Sequence, residues 1–268
     1  RIPTEKKWER GLGVGFFGRG DSRKLLKFDE PLTLSTQVPP PSCEADQLIA
    51  SPDGRFIATQ YLCHANTAFQ LTNNTSLGQA PLFYPRSYFL NWSPDGAWLL
   101  FREIDHDQIW LVSVDGQERL LLDLPIGTYG AAFAPDGRQI VYTASRGLGF
   151  GSEMGFLDLT IGVHTVWQTD PHHIFAFPTW SPNGEHIAYI LMADSNIPFT
   201  TGELWLASPG EQSATLLAQQ VDAGRGFPPA WTPDGQFITF VQRDNPEAVR
   251  ADHSFYDLHS NIYQIEIA

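Results

Sequence analysis

Three observations predict an all-β protein built from repeated antiparallel sheets. A four-residue phrase ending in Pro-Asp-Gly or Pro-Asn-Gly occurs five times, with 42, 41, 47 and 51 residues between corresponding positions. Short apolar runs rich in β-branched and aromatic residues flank each copy, and no long segment has the apolar period of a helix. The copies occupy residues 51–54, 93–96, 134–137, 181–184 and 232–235. Repeats of this length predict the blades of a β-propeller.

Each phrase has the composition of a tight turn between two strands. Proline presets φ, aspartate or asparagine bonds back to the backbone, and glycine accepts a positive φ. In the second repeat the predicted strands are residues 88–92, 97–101, 108–112 and 120–123. The sequence therefore predicts four antiparallel strands per blade.

An aromatic residue stands three positions before the aspartate or asparagine in four of the five phrases. These residues are Trp92, Phe133, Trp180 and Trp231, and Ala50 takes the place in the first phrase. A bulky ring at a constant position in the blade favours packing between adjacent blades.

The combined pattern resembles the TolB-like β-propeller repeat. Its elements are Trp92-Ser93-Pro94-Asp95-Gly96, an apolar strand, a strand containing Ile109-Trp110 and a polar turn. This WD-repeat-like module also occurs in tricorn-type and prolyl-peptidase propellers, and the resemblance covers roughly residues 44–268. It implies an extracytoplasmic bacterial protein, periplasmic or on the cell surface, that works through protein contacts.

The chain is expected to form a single propeller domain over residues 1–268, with five recognisable repeats in residues 44–268. Residues 1–43 then form either a degenerate first blade or a closing segment. Six blades are preferred, because residues 8–11 lie one repeat length before the first phrase. The alternative is five blades in which residues 32–35 supply the missing last strand. Because the sequence begins at Arg1 rather than Met, we also expect a leader or anchor to have been removed.

The charge of the chain limits its partners. The sequence has 17 Lys and Arg against 30 Asp and Glu, a formal net charge of -13. This charge repels phosphate backbones and anionic lipid, so we expect no nucleic-acid partner. No apolar run approaches the length of a transmembrane segment. A protein or peptide partner is expected, and the chain can be one subunit of a larger complex.

The two cysteines are expected to form a disulfide. Cys43 and Cys63 lie ten residues before and ten residues after Asp53. In a hairpin centred on this turn they face each other on paired strands, within disulfide range. A shift of one residue in register would place them on opposite faces, and two buried free thiols are the alternative. A disulfide would indicate an oxidising compartment.

No motif in the sequence predicts catalysis, a cofactor or a metal. There is no Gly-x-Ser-x-Gly nucleophile elbow, and the eight histidines have no compact ligand spacing. The predicted function is therefore a non-catalytic scaffold that binds a protein, a peptide or a glycan. The alternative is a propeller enzyme, either a metal-dependent lyase or a hydrolase-associated domain, acting on a glycan or peptide. For the lyase, the adjacent pair His172 and His173 is the densest group of histidines.

The expected binding surface follows from strand order. In an up-and-down blade, the turns after the first and third strands share one rim, which here is short and regular. The turns after the second and fourth strands share the other rim, where the connections are long and irregular, and binding is usually carried by such loops. The regular rim remains the alternative surface. Arginine and aromatic residues gather on the long-loop rim. The predicted binding residues are Arg86, Tyr129, Arg146, His172, Phe175, Arg225, Phe227 and Tyr256.

Overall fold

The computed structural model describes residues 42–64, 66–75, 80–195, 201–223, 228–243 and 260–267. These residues form nineteen strands and no helix, and all strand pairs are antiparallel. The predicted all-β class and the four-stranded antiparallel blades are thereby confirmed. The expected first blade or closing segment lies almost entirely in residues 1–41, outside the described residues, so the blade count stays a prediction.

The first of two compact units contains blades 1 and 2. Blade 1 consists of β1 (Cys43–Ala50), β2 (Phe56–Cys63), β3 (Asn66–Asn73) and β4 (Leu82–Pro85). Blade 2 consists of β5 (Ser87–Trp92), β6 (Trp98–Glu103), β7 (Gln108–Ser113) and β8 (Arg119–Leu121). Both sheets follow sequence order, as expected for up-and-down blades.

The second compact unit contains most of blade 3 together with blades 4 and 5. Blade 3 consists of β9 (Thr128–Phe133), β10 (Gln139–Ala144), β11 (Ser152–Asp158) and β12 (Val163–Asp170). Blade 4 consists of β13 (His173–Trp180), β14 (Ile187–Ala193), β15 (Thr201–Ala207) and β16 (Ala214–Asp222). Blade 5 contains β17 (Ala230–Trp231), β18 (Phe237–Arg243) and β19 (Ser260–Glu266), and a pairing of β16 with β18 joins blades 4 and 5 into one seven-stranded sheet.

In four of its five copies, the repeated phrase is a turn held by one hydroxyl group. The Ser93 hydroxyl donates to Asp95 Oδ1 at 2.5 Å and accepts from the Trp98 N–H at 2.8 Å. Asp95 Oδ1 also accepts from the Ala97 N–H at 3.0 Å, and Gly96 has a φ of +66°. The same bonds recur in the phrases that begin at Ser51, Ser181 and Thr232. These four turns therefore satisfy two of their own backbone donors, whereas the phrase that begins at Ala134 has no hydroxyl for this role.

The tryptophan before three of the turns packs on the preceding blade. Trp92 lies in the apolar core between blades 1 and 2, and its indole N–H donates to Ile49 O at 3.3 Å. Trp231 reaches blade 4 in the same way, with its N–H 3.4 Å from Thr179 O. The Trp180 ring contacts the Phe156 ring of blade 3 at 5.8 Å between centroids. The predicted packing between adjacent blades is confirmed at these positions.

The predicted disulfide is present, and a β-bulge makes it possible. Next to the turn, Ala50 pairs with Ile57, a register that would place Cys63 opposite Glu44. The bulge between Ala45 and Gln47 shifts the pairing by one residue and brings Cys43 opposite Cys63, with 4.1 Å between their Cα atoms. The bond therefore joins the far ends of β1 and β2, and the described residues contain no free cysteine.

We expect Ser93→Ala to lower the free energy of unfolding by about 1–3 kcal/mol, because the variant leaves a buried Trp98 N–H without its acceptor. Urea denaturation measures this loss. Ser113→Ala is the matched control. Ser113 makes the same bonds to Asp115 and Glu118 at a half-exposed turn, where water can replace the hydroxyl. Equal losses in the two variants would contradict a special role for the buried turn.

Removing the disulfide with Cys43→Ser and Cys63→Ser together should lower the free energy of unfolding by about 3 kcal/mol. The bond closes a segment with a sequence separation of 20, and opening that loop raises the entropy of the unfolded chain. Thermal unfolding with and without reductant provides the measurement. Reductant should destabilise the original protein and leave the double variant unchanged, whereas equal responses would show that the cysteines are not bonded.

Candidate functional site

Two loops at one end of blade 3 expose large apolar side chains. The first loop, residues 125–127, carries Ile126, and the second, residues 145–151, joins β10 to β11. Ile126 is 84% exposed, Leu148 is 64% exposed and Phe150 is 70% exposed, and Arg146 beside them is also exposed. We call Ile126, Arg146, Leu148 and Phe150 the blade-3 tip. It lies at the end of the sheet where sequence analysis placed the long connections.

The 145–151 loop is held by bonds at its base. The Ser145 hydroxyl donates to Gly151 O at 2.6 Å and accepts from the Gly147 N–H at 3.2 Å. The Gly151 N–H donates to Asp194 Oδ2 at 2.8 Å, which ties the loop to the end of β14. Phe150 N–H adds a bond to Gly147 O at 3.3 Å. The exposed side chains therefore project from a fixed backbone.

Two positions at the base of the tip require glycine because another backbone segment approaches too closely for a side chain. Gly151 has a φ of +65°, and a Cβ there would lie 2.0 Å from Asp170 O. Gly127 has a φ of +82°, and a Cβ there would lie 1.9 Å from Ser145 O. Because the Ser145 N–H donates to Gly127 O at 3.1 Å, the two loops lie side by side. Neither position accommodates a side chain without moving the loops.

A polar cluster beneath the tip joins blades 3 and 4. The Ser152 hydroxyl donates to His173 O at 2.9 Å and accepts from the Phe175 N–H at 2.8 Å. The Tyr129 hydroxyl donates to Phe175 O. Burial raises the pKa of Tyr129 to about 12, and the charge of Asp194 acts in the same direction. Tyr129 is therefore a neutral donor at physiological pH.

Asp170 shapes the turn between β12 and β13. Its Oδ1 accepts from the His172 N–H at 2.8 Å, from the His173 N–H at 2.9 Å and interacts with His173 Nδ1 at 3.0 Å. Burial alone would raise the pKa of Asp170, but these bonds outweigh it and lower the pKa below its usual value. The carboxylate thus orders the turn that carries the exposed His172 side chain.

Four of the predicted binding residues lie at this end of blades 3 and 4: Tyr129, Arg146, His172 and Phe175. Arg146 and His172 are exposed, and Tyr129 is half-buried. Phe175 is 4% exposed, and its ring meets the Tyr189 ring edge-on at 5.6 Å. Its side chain therefore belongs to the core, and only its backbone takes part in the polar cluster.

Arg86 lies in the other compact unit and already has intramolecular partners. Its guanidinium bonds to both carboxylate oxygens of Asp105 and, at 2.9 Å, to Asn66 Oδ1. The bond to Asp105 raises the pKa of Arg86 and lowers that of Asp105. The remaining predicted residues, Arg225, Phe227 and Tyr256, lie outside the described residues.

Sequence analysis did not single out Ile126, Leu148 and Phe150. The available indication was large apolar residues between glycines, as in Gly147-Leu148-Gly149-Phe150-Gly151. Alternation of apolar residues is typical of a strand, but glycine at every second position favours a turn or loop, in which the side chains are not buried by a sheet. In the part of the chain that the structure describes, no group of three His, Cys, Asp or Glu residues is arranged to hold a metal ion. The same residues include no helix with the length and apolarity to span a bilayer.

Solved structures similar to this chain are β-propellers. A protein described as TolB from Agrobacterium tumefaciens has a TM-score of 0.59 and 20% identity, over 84% of this chain and 75% of that chain. TolB from Acinetobacter baumannii has a TM-score of 0.59 and 19% identity, over 74% of this chain and 49% of that chain. The β-propeller domain of the Trilobed protease from Pyrococcus furiosus has a TM-score of 0.52 and 13% identity, over 85% of this chain and 71% of that chain.

Sequence comparison gives a shorter match. No protein-family model matches the chain. A segment of 68 residues is 43% identical to the uncharacterized peptidase YuxL of Bacillus subtilis, covering 24% of this chain and 10% of that protein. The structural neighbours are therefore TolB and peptidase-type propeller domains, and the TolB-like resemblance is confirmed for the fold.

Gly151→Ala should destabilise the protein more than Gly149→Ala does. Both glycines have a positive φ, which costs an alanine about 1–2 kcal/mol. A Cβ at Gly149 meets nothing within 4 Å, whereas a Cβ at Gly151 overlaps Asp170 O. This overlap should add about 1–3 kcal/mol to the loss, measured by urea denaturation. Equal effects of the two variants would show that the base of the loop is not closely packed.

Proposed function

We propose that this chain is a non-catalytic binding module that docks a protein or peptide partner on the blade-3 tip. The observation that carries the proposal is the exposure of Ile126, Leu148 and Phe150 in two adjacent loops. Apolar side chains grouped on the surface of a soluble domain mark interaction sites, and aromatic residues with arginine dominate interface energies.

The fixed backbone of the tip supports this role. Binding through a mobile loop loses free energy when the loop becomes ordered, and a preorganised loop avoids most of that cost. Ser145 and Asp194 already hold the 145–151 loop before any partner arrives. The exposed side chains of Leu148 and Phe150 can therefore contribute their buried area directly to affinity.

An extracytoplasmic location fits both the fold and the disulfide. The Cys43–Cys63 bond is of the kind that persists in oxidising compartments. The similarity to two TolB structures supports the same assignment through the fold. We infer that the chain acts in the periplasm or at the cell surface, as one subunit of a larger assembly.

A second candidate is a propeller domain that serves a peptidase. The 68-residue match to the peptidase YuxL and the similarity to the Trilobed protease propeller favour it. In that case the blade-3 tip would hold a peptide substrate or contact the hydrolase domain. Under both candidates a polypeptide contacts the tip. It is a partner protein under the first, and a peptide substrate or the hydrolase domain under the second.

Photo-crosslinking tests the proposal and separates the two candidates. We expect the variant Phe150→benzoylphenylalanine, irradiated in the producing cells, to form a discrete protein adduct. The matched control places the same group at Leu216, which is exposed on β16 in the same unit. An adduct with a hydrolase domain identifies the peptidase role, and an adduct with another protein identifies the scaffold. The proposal fails if position 150 gives no adduct, or the same adducts as position 216.

A further inference from the structure

The blade-3 tip carries one positive charge in a strongly acidic protein. Arg146 is the sole Lys, Arg, Asp or Glu in residues 125–127 and 145–152, whereas the whole chain has a formal charge of -13. The tip therefore differs in charge from the average surface of the molecule.

Arg146 also differs from other arginines in its pairing. Arg55, Arg86 and Arg102 each form an ion pair with an aspartate close by. The Arg146 guanidinium forms no hydrogen bond or ion pair with another described residue, and its side chain is exposed. Asp194, a carboxylate that contacts this loop, accepts from the Gly151 N–H through Oδ2 and forms no ion pair with Arg146. The guanidinium is thus available to a carboxylate from outside, which it can bind through two parallel hydrogen bonds.

The apolar residues stand at alternate positions beside this charge. Leu148 and Phe150 follow Arg146 at intervals of two residues, and the intervening Gly147 and Gly149 have no side chains. Positive φ values of 120° and 80° at these glycines set the loop backbone. The bond from the Phe150 N–H to Gly147 O closes a turn over residues 147–150, so Arg146, Leu148 and Phe150 belong to one short loop that a single peptide segment can contact.

Charge favours a peptide over a lipid surface. Stable attachment to anionic membranes uses several lysines or arginines, each contributing a small attraction. The tip offers one arginine, and the acidic remainder of the protein repels anionic lipid. A short peptide brings its carboxylate to Arg146 without bringing a charged surface up to the whole molecule.

We propose that the blade-3 tip recognises an acidic–apolar segment of a partner protein. An Asp or Glu carboxylate pairs with Arg146, and aromatic or aliphatic residues within a few positions of it pack on Leu148 and Phe150. This inference rests on the proposed binding function and specifies the chemistry of its partner. It concerns the same tip that the Phe150 crosslink probes, but it adds a charge preference that the crosslink does not test.

Selection from a random peptide display library, with the intact folded chain as bait, tests this chemistry. We expect enrichment of peptides that combine Asp or Glu with neighbouring aromatic or aliphatic residues. Binding of the best synthetic peptide should weaken about tenfold with Arg146→Gln, which removes a charge-assisted hydrogen bond. It should weaken at least as much with Leu148→Ser and Phe150→Ser together, and it should weaken at higher salt.

Two control variants distinguish the loss of a direct contact at the tip from the loss of charge or apolar surface elsewhere on the protein. Arg138→Gln removes the same charge from an exposed position outside the tip, and Leu216→Ser replaces an exposed leucine outside the tip. Both should leave peptide affinity within about twofold of the original value, because neither residue belongs to the blade-3 tip. Thermal unfolding of every variant verifies that it is folded.

The outcomes distinguish this inference from the proposed function. Neutral or basic consensus peptides, or equal effects of Arg146→Gln and Arg138→Gln, overturn the acidic preference. Binding to vesicles containing phosphatidylglycerol that depends on Leu148 and Phe150, without selection of acidic peptides, overturns it in favour of a membrane. In each of these cases a specific protein adduct at Phe150 still supports the binding function, and its absence removes both.

Discussion

The side-chain bond inside the repeated turn holds four of the five turns, with a Ser or Thr hydroxyl donating to the Asp or Asn two residues later. In the second repeat it joins Ser93 to Asp95, and the same hydroxyl accepts the Trp98 N–H. Ser93 is fully buried, so without this bond the turn would bury an unpaired backbone donor. The turn also fixes the register of the first two strands. That register decides which face carries Trp92, and Trp92 then packs on the preceding blade.

At the ends of the sheets away from the repeated turns, different side chains join adjacent blades. Between blades 1 and 2 the Gln60 amide bonds to Ala68 O and to the Phe89 N–H. Between blades 3 and 4 the Ser152 hydroxyl bonds to backbone groups of β13. Between blades 4 and 5 a buried ion pair joins Arg243 to Asp222. These three junctions are therefore closed by different residue types.

The sequence predicted the features that neighbouring residues determine, and it missed those that depend on contacts between strands. The turns, the strands that flank them and the ring packing follow from local rules, and the structure confirms them. The bulge at Ala45 and Gln47 was not predicted, although the disulfide depends on it, because its cause lies in pairing across the hairpin. The roles of Phe175 and Arg86 were also not predictable. The Phe175 ring packs on Tyr189, and the Arg86 guanidinium bonds to Asp105. Both contacts join residues that are distant in sequence.

Arg86 and Arg146 show how the fold decides which arginine is available for binding. Both occupy connections at corresponding ends of their sheets, and both were predicted as binding residues. An exposed arginine in an acidic chain can form an ion pair with an intramolecular carboxylate, as Arg86 does with Asp105. Arg146 lies in a glycine-rich loop without carboxylates, and Asp194 is already bonded to the base of that loop. Because the loop itself has no carboxylate, its fixed backbone presents the Arg146 guanidinium to a ligand.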